Sequence, residues 1–550
     1  MVSRARHPAF NSAGTCSKNR TTNDLCEPEQ IFSYALFKLK MINIGNKTQV
    51  LQVVFLSLSL SLVVYGTFAM SSGIANSFAT IPGPKSFPIF GTLFHYLPFI
   101  GKYKFDELHR NGLKKYREFG SIVREEIVPG TNIVWIFTPE DIQELFRTEG
   151  RYPQRRSHLA IDHYRKSVRH LYNNGGLLPT NGPEWHRLRS TFQKGLSSLH
   201  NVRSYLPCVN EVVDDFVQYV VEKRRSNEDF LPQLSRAFLE ILGLIAFDVR
   251  LNSFTEAELQ PSSTTSRLLD AALTINSCIL KTDNGLGMWR FWDTPLYNNL
   301  KRGHAYMESV AVDLVNNKLR SMAGKVENAE KSLLEMYLTT PEIDFKDVIG
   351  MSADMLLAGI DTITYSTSFA LYHLATNKEK QTQLHNESLR LLADLRTPVT
   401  PEILARAEYL KAVLKESFRL NPVSVGIGRI LTEDAIFSGY NVPKGTTVVT
   451  QNQVVCRLPE FFPDPLKFLP ERWLKGFPEY QATNPHLVLP FGHGPRACIA
   501  RRLAEQNMQI LVLKLCRKFI IDWKGGVLDS KSYLINKPDG PLKFSFTARK

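Results

Sequence analysis

A short segment late in the chain constrains the fold more than any other feature. Residues 491–500 read FGHGPRACIA, and an apolar-periodic stretch predicts a helix from residue 499 to about 519. Gly492 and Gly494 allow a tight turn in which backbone N–H groups can face the sulfur of Cys498. A helix N-terminus directly after Cys498 adds partial positive charge, which favours a thiolate. The pattern therefore predicts an ionised cysteine held in a tight loop at the start of a helix.

The chemistry that fits this loop is ligation of a haem iron. A thiolate ligand pushes electron density toward bound oxygen and favours O–O cleavage. Arg496 is placed to pair with a haem propionate, and Phe491 to lie against the ring and keep water away. Two other interpretations stay open: a buried structural cysteine in a glycine-rich loop, and an iron ligated by His493 instead.

The length and charge of the chain restrict the remaining classes. Its 550 residues include 67 Lys and Arg against 53 Asp and Glu, a net charge of +14. Such a balance suits an anionic membrane or an acidic partner. Nucleic acid binding is not predicted, because neither zinc-finger spacing nor a basic stretch with stacking aromatics occurs. The seven irregularly spaced cysteines, without a C-x-x-C pair, indicate a reducing compartment rather than a disulfide framework.

The first 80 residues are set apart by their composition. Residues 50–70 carry no charge and are about long enough to cross a bilayer. They predict either a membrane anchor or an organelle-targeting leader, although upstream acidic residues weaken the second interpretation. The globular part is expected from residue 81, where the prolines of IPGP forbid a helix. The predicted domains are 1–80, a leader or anchor, and 81–550, one globular domain.

The rest of the chain predicts a mainly α fold with a minor β part. The helical regions follow apolar periodicity, and the strands are β-rich runs bounded by Pro and Gly. The expected elements are a helix over 102–119, a hairpin over 121–137, a mostly helical region from 139 to 420 with one long helix over 345–376, a strand-turn-strand over 437–452 with its turn at 443–445, and short strands over 531–547.

The loop at Cys498 resembles the signature loop of the cytochrome P450 superfamily. Other motifs of that family are present in the expected order, and the resemblance covers residues 81–550. The resemblance implies the cytochrome P450 fold, with the haem between a long central helix and the helix after the cysteine loop. It implies haem b, iron protoporphyrin IX with an axial Cys498 thiolate, as cofactor and metal site. O2 and NADPH-derived electrons would be the cosubstrates of a monooxygenase.

The resemblance also assigns residues around the haem. Trp185 and Arg189, four apart on one predicted helix face, would contact the propionates, and Arg429 would be a third partner. A buried network that supports the pocket, without taking part in the chemistry, is expected of three residues in ESFR and FLPERW: Glu416, Arg419 and Arg472.

The segment AGIDTI, residues 358–363, lies midway along the predicted long helix. A Gly, an acid and a Thr are locally unfavourable in an apolar helix. The resemblance implies that the helix opens over the haem at Ala358, and that Asp361 and Thr362 deliver protons during oxygen activation. Ile363 departs from the family pattern, in which a second Thr or Ser is common at this position.

Electrons must come from another protein, because the sequence carries neither a flavin nor an NAD fingerprint. Lys411 and Lys415 lie four apart on one predicted helix, and Arg501 and Arg502 follow the thiolate. Resemblance to the mitochondrial branch implies that these cations dock an adrenodoxin-like ferredoxin, served by its NADPH-dependent reductase. The expected location is the matrix side of the mitochondrial inner membrane. Residues 50–70 leave the endoplasmic reticulum membrane, with a flavoprotein donor, as the alternative.

Longer stretches indicate the substrate class. YPQRRSHLA (152–160), GLLPTNGPEW (176–185) and GRILTEDAIFSGYNVPKGTTVVTQN (428–452) resemble the insect ecdysteroid 22-hydroxylases of that branch. The resemblance implies C-22 hydroxylation of 2,22-dideoxyecdysone to 2-deoxyecdysone by a membrane-associated enzyme. The residues themselves indicate only an apolar pocket for a lipophilic substrate, and a non-catalytic haem carrier or sensor stays open as the alternative.

Overall fold

The computed structural model describes residues 77–88, 90–222, 228–323 and 331–549. The leader or anchor predicted over residues 1–80 therefore lies outside the described residues, apart from 77–80. Within the described ranges, each helix is too short or too polar to cross a bilayer.

Helices make up most of the described chain. In chain order they are α1 (Leu108–Phe119), α2 (Pro139–Arg147), α3 (Leu159–Ser167), α4 (Gly182–Ser197), α5 (Leu199–Ser204), α6 (Leu206–Glu222), α7 (Leu231–Phe247), α8 (Glu256–Leu259), α9 (Thr264–Asn284), α10 (Pro295–Met322), α11 (Leu333–Leu338), α12 (Phe345–Gly359), α13 (Asp361–Thr376), α14 (Lys378–Leu391), α15 (Pro401–Arg406), α16 (Glu408–Leu420), α17 (Asn452–Val455) and α18 (Arg501–Lys518). Some starts follow ordinary capping rules: the side chain of Thr138 accepts from the amide of Asp141, with Pro139 in the first turn of α2.

Short strands form the minor part. They are β1 (Ile122–Val128), β2 (Thr131–Ile136), β3 (Gly428–Ile430), β4 (Ala435–Phe437), β5 (Tyr440–Val442), β6 (Thr447–Thr450), β7 (Phe519–Trp523), β8 (Ser530–Ser532), β9 (Asn536–Pro538) and β10 (Phe544–Ala548). One sheet has the order β1-β2-β6-β3, in which β2 and β6 are parallel. Ile122 pairs with Ile136 across β1 and β2, so the predicted hairpin is confirmed. The mainly α fold with a minor β part is confirmed as well.

The long helix predicted over 345–376 is wrong in one respect, because the chain forms two helices there. α12 ends at Gly359 and α13 begins at Asp361, with Ile360 between them at φ −89° and ψ −65°. The hydroxyl of Thr362 donates to the carbonyl of Ala358 at 2.7 Å, which offers the backbone a competing partner. The interruption therefore falls inside the AGIDTI segment.

Three smaller predictions are also wrong, two at the start of a helix and one at the position of a turn. The helix expected over 102–119 begins only at Leu108, and the helix after the cysteine loop begins at Arg501 rather than at 499. The turn at 443–445 does not close a hairpin, because β5 pairs with β4 while β6 pairs with β2 and β3. The hairpin turn lies instead at Ser438 and Gly439, whose φ values of 47° and 82° suit a tight reversal.

The largest apolar cluster positions the site. Buried side chains of α7, α12, α13 and α18 belong to one continuous core, for example Phe238, Leu357, Phe369 and Leu511. Such close packing allows little independent movement of the helices that surround Cys498.

Candidate haem site

The cysteine loop forms a closed turn before α18. The amide of Cys498 donates to the carbonyl of Phe491 at 2.8 Å. Gly492 and Gly494 have φ values of 77° and 68°, in the left-handed region that favours glycine. Burial raises the pKa of the Cys498 thiol, and the N–H of Ala500 offsets only part of this. A bound metal ion would change the balance, because a coordinating thiol is deprotonated.

The thiol lines a cavity. Cys498 is enclosed by protein, and the part of its surface that stays accessible faces this cavity. Ala358 and Thr362, at the junction of α12 and α13, line the same cavity. Leu177 and Leu178 also belong to its lining, most of which is apolar. The sulfur and the interrupted helix therefore border one mostly apolar space.

Arg496, two residues before Cys498, has unused donor capacity. It donates to the carbonyls of Pro153 at 2.9 Å and Thr180 at 2.7 Å, and its guanidinium lies 4.0 Å from the ring centroid of Trp185. Its buried Nη1 has no hydrogen-bond partner among the residues that the structure describes. An unpaired buried donor is costly, so this nitrogen indicates a missing acceptor.

Positive charge accumulates around that nitrogen. Burial, and then the charges of Arg155, Arg429 and Arg189, lower the pKa of Arg496. We call these four residues the arginine edge. Glu149 opposes them through its ion pair with Arg429 at 2.5 Å, and burial raises the pKa of Glu149. Four arginines opposed chiefly by Glu149, with Asp354 acting on Arg155, favour an anionic partner. The two propionates of a haem would be such a partner, so thiol, apolar space and cationic edge together fit the group.

Sequence reasoning missed two residues of this site. Arg155 lies on the arginine edge, donates from Nε to the carbonyl of Leu178 at 2.9 Å, and donates from its amide to Asn181 at 3.1 Å. Glu149 supplies the opposing carboxylate. Both stand in the segment EGRYPQRR, residues 149–156, where three arginines and an acid occur close together. That density of charge was the available signal.

The predicted structural network is brought together behind the cysteine loop. Arg419 donates to both oxygens of Glu416 at 2.9 and 2.8 Å, and Arg472 donates to Glu416 at 3.0 Å. The indole of Trp473 donates to the same carboxylate at 2.9 Å. All three charged residues are buried, and each charge faces an opposite one.

Asp361 and Thr362 are adjacent but have different surroundings. The carboxylate of Asp361 accepts from the amide group of Asn276 at 2.9 Å and from the hydroxyl of Tyr365, and burial raises the pKa of Asp361. Thr362 lines the cavity with Cys498, and its hydroxyl donates to a carbonyl of α12. The structure therefore places a hydroxyl on the cavity wall and, at the neighbouring position in the chain, a buried acid that holds a proton more readily than an exposed one.

The four predicted docking cations are all exposed. Lys411 and Lys415 lie on α16, where they line one shallow depression. The ammonium of Lys415 lies 4.1 Å from the ring centroid of Trp473. Arg501 and Arg502 lie at the start of α18, and Arg501 forms an exposed ion pair at 3.0 Å. Their charges are thus available to a partner, apart from that surface pair.

Comparison with known proteins agrees with this geometry. The family model "Cytochrome P450" matches residues 81–543. The chain is 50% identical over 480 residues to "Cytochrome P450 302a1, mitochondrial" of Drosophila melanogaster, which covers 86% of this chain and 96% of that protein. It is 32% identical to "Probable cytochrome P450 301a1, mitochondrial" of the same species, over 85% of this chain and 86% of that protein. It is 29% identical to "Cytochrome P450 10" of Lymnaea stagnalis, over 86% of each chain. The chain belongs to the cytochrome P450 family, the haem-thiolate monooxygenases that use O2 and electrons derived from NADPH.

Proposed function

We propose that this chain hydroxylates carbon 22 of an ecdysteroid precursor, converting 2,22-dideoxyecdysone into 2-deoxyecdysone. One observation carries the proposal: this chain is 50% identical to a relative named as mitochondrial, over 96% of that relative's length. The stretches that resemble insect ecdysteroid 22-hydroxylases agree with it. The mostly apolar cavity that Cys498 lines is consistent with a steroid, since such a substrate binds mainly by burial of apolar surface.

Two sets of residues would hold the haem. Cys498 would supply the thiolate ligand to the iron, and the arginine edge with Trp185 would bind the propionates. Phe491 and Ala358 would contact the ring. When bound, the haem supplies the oxygen-activating iron that oxidises an unreactive C–H bond. The protein contributes orientation of the substrate and exclusion of water.

Proton delivery is the role that we assign to Asp361 and Thr362. The hydroxyl of Thr362 lies on the cavity wall and already donates to Ala358, so its oxygen can accept a hydrogen bond from water. Burial raises the pKa of Asp361, so this carboxyl would hold a proton for release more readily than an exposed aspartate. Asn276 and Tyr365 hold the carboxyl in place.

The electron donor that we propose is an adrenodoxin-like ferredoxin, reduced by its NADPH-dependent reductase. Lys411, Lys415, Arg501 and Arg502 would attract its acidic surface, because exposed cations steer a partner of opposite charge. The relatives named as mitochondrial favour this donor over a flavoprotein reductase.

We also propose that the protein associates with the matrix side of the mitochondrial inner membrane. A cleft of about 860 Å³ opens between the segment around Phe99 and the end of α9, and its rim carries exposed Leu97, Phe99 and Leu286. Exposed apolar residues of this kind, grouped at the mouth of a cleft, suit contact with lipid and entry of a lipophilic substrate.

Reconstitution tests the proposal. The purified protein is incubated with 2,22-dideoxyecdysone, ferredoxin, its reductase and NADPH, and the products are identified by mass spectrometry. We expect 2-deoxyecdysone with matching NADPH consumption. A flavoprotein reductase replaces the ferredoxin system in a parallel arm. Turnover only with the flavoprotein would contradict the donor, a different hydroxylated steroid would contradict the carbon, and haem binding without NADPH consumption would indicate a carrier.

A further inference from the structure

A buried ion pair lies next to the cavity and outside the cysteine loop. Arg165 of α3 donates to Asp354 of α12 at 2.7 Å, and both side chains are at most 3% exposed. Asp354 itself lines the cavity, about one helical turn before Ala358. Removing two charges from water is expensive, so such a pair is weak evidence for stability. Its other contacts indicate what it does.

The pair holds the backbone of one short loop from two sides. The second oxygen of Asp354 accepts from the amides of Leu177 at 2.7 Å and Leu178 at 3.3 Å. Arg165 donates to the carbonyl of Gly175 at 2.9 Å. Between these contacts Gly176 has a φ of 87°, and a Cβ there would lie 2.0 Å from Nη1 of Arg165. The loop therefore has glycine where the two charged groups approach its backbone most closely.

A second arginine fixes the other end of this loop. Arg155, on the arginine edge, donates to the carbonyl of Leu178 at 2.9 Å. Leu177 and Leu178 both line the cavity that contains Cys498 and Thr362. The two leucines are thus held between α12 and the arginine edge. They are fixed in this way even though residues 171–181 form neither helix nor strand.

The same arginine reaches a third helix. Nε of Arg165 donates to Nε2 of His304 on α10 at 3.1 Å. Burial, and then the charge of Arg165, hold the pKa of His304 well below its usual range, so the neutral ring can accept this bond. Arg165 therefore ties α3, α10 and α12 to the loop.

We propose that Arg165 and Asp354 are positioning residues that fix Leu177 and Leu178 as a rigid wall, and that this wall determines which carbon of the substrate lies over the iron. The proposal rests on the C–H hydroxylation of the proposed function, but not on the identity of the steroid. A loosely held loop with the same leucines would let a flexible side chain of the substrate present several carbons.

The first test compares two matched substitutions in the haem-loaded protein. Asp354→Asn removes one acceptor oxygen from the loop or from Arg165. Glu240→Gln is the control, because buried Glu240 likewise accepts from an arginine, Arg250 at 2.8 Å, and from two amides, those of Asn252 and Ser253. Hydrogen–deuterium exchange of residues 175–181 should be about tenfold faster in Asp354→Asn and unchanged in Glu240→Gln, as expected for loss of one buried hydrogen bond.

Product analysis gives the second readout. Asp354→Asn should form additional hydroxylated isomers of the substrate, whereas Glu240→Gln should keep the wild-type product ratio even if both variants lose equal thermal stability. Unchanged exchange in the loop, or an unchanged product ratio with faster exchange, would overturn the proposal. Gly176→Ala disturbs the same contacts from the loop side, and it must reproduce both effects if Asp354→Asn fails to fold.

Azole binding separates this proposal from the proposed function. The ratio of Kd values for 4-phenylimidazole and imidazole, read from the haem spectrum, needs no steroid. It should change by about tenfold or more in Asp354→Asn relative to Glu240→Gln. An unreactive steroid with an altered ratio would contradict the proposed substrate and leave the wall supported. An unaltered ratio with normal steroid turnover would contradict the wall alone.

Discussion

Two groups of buried or half-buried arginines differ in how their charge is balanced. In the structural network, Glu416 accepts from Arg419 and Arg472, so opposite charges meet within the protein. On the arginine edge, Glu149 opposes four arginines, and Nη1 of Arg496 lacks a partner among the described residues. Balanced charge needs no ligand to offset it, whereas unbalanced charge favours the protein that has bound an anion. The difference separates residues that support the site from residues that would bind the haem.

The largest effect is expected at Cys498, which belongs to neither group. Cys498→Ala removes the sulfur but leaves both sets of arginines, so the protein should fold and lose the thiolate spectrum of its reduced carbon monoxide complex completely. Cys516→Ala is the control, since Cys516 is a buried residue of α18. A normal thiolate spectrum in Cys498→Ala would refute the assigned ligand.

Glu416→Gln removes the negative charge of the balanced group, the structural network. It leaves Arg419 and Arg472 buried without a full countercharge, and we expect a loss of about 3–5 kcal/mol in the free energy of unfolding. Urea denaturation should give the same loss with and without haem. Glu505→Gln, which breaks the exposed pair with Arg501, should cost less than about 1 kcal/mol. Equal losses in the two variants would contradict the structural role.

Arg189→Gln removes one positive charge from the unbalanced group, the arginine edge. The guanidinium of Arg189 bonds to the neighbouring Gln193, so the haem-free protein should keep its stability. Loss of one charged hydrogen bond to a propionate should weaken haem affinity about tenfold. Arg187→Gln is the control on the same helix, because Arg187 pairs with Glu184 and Asp347 instead. Arg187→Gln should lose stability but keep its haem affinity. Weaker haem binding in Arg187→Gln with unchanged binding in Arg189→Gln would contradict the distinction between the two groups of arginines.

Thr362→Ala extends the comparison to an uncharged residue of the cavity wall. Haem binding should be unchanged, while hydroxylated product per NADPH falls by about tenfold or more as electrons are lost to peroxide. Thr367→Ala, which also removes a hydroxyl bonded within α13, should stay coupled. Full coupling in Thr362→Ala would count against proton delivery by this residue.

The smallest effect is expected where cations are exposed rather than buried. Lys411→Gln with Lys415→Gln should weaken ferredoxin binding a few-fold, and more at low salt than at high salt, because salt screens exposed charges. Titration of the donor at two ionic strengths measures this. Unchanged donor affinity at low salt would show that the ferredoxin docks elsewhere.

Features set by local chemistry were predictable from the sequence. The glycines around Cys498 and the Pro-Gly between β1 and β2 act within a few residues, and the structure forms the tight turns that both indicate. The AGIDTI segment was also visible, because Gly, Asp and Thr are unusual together in an apolar helix.

Features set by distant contacts were not predictable. The break at Ile360 adds a conformational detail that periodicity cannot detect, since both halves remain apolar. Two turn signals occur between 438 and 445, and pairing of β6 with β2 decides which one closes a hairpin. Arg155 and Asp354 acquire their partners from segments far along the chain, so neither stood out from its neighbours.

The central claim is a bond between the sulfur of Cys498 and a haem iron. X-ray absorption at the iron edge of the purified holoenzyme measures the elements bound to the metal directly. We predict one sulfur neighbour in addition to the ring nitrogens, and its loss in Cys498→Ala. An iron surrounded only by nitrogen or oxygen in the unaltered protein would contradict the account.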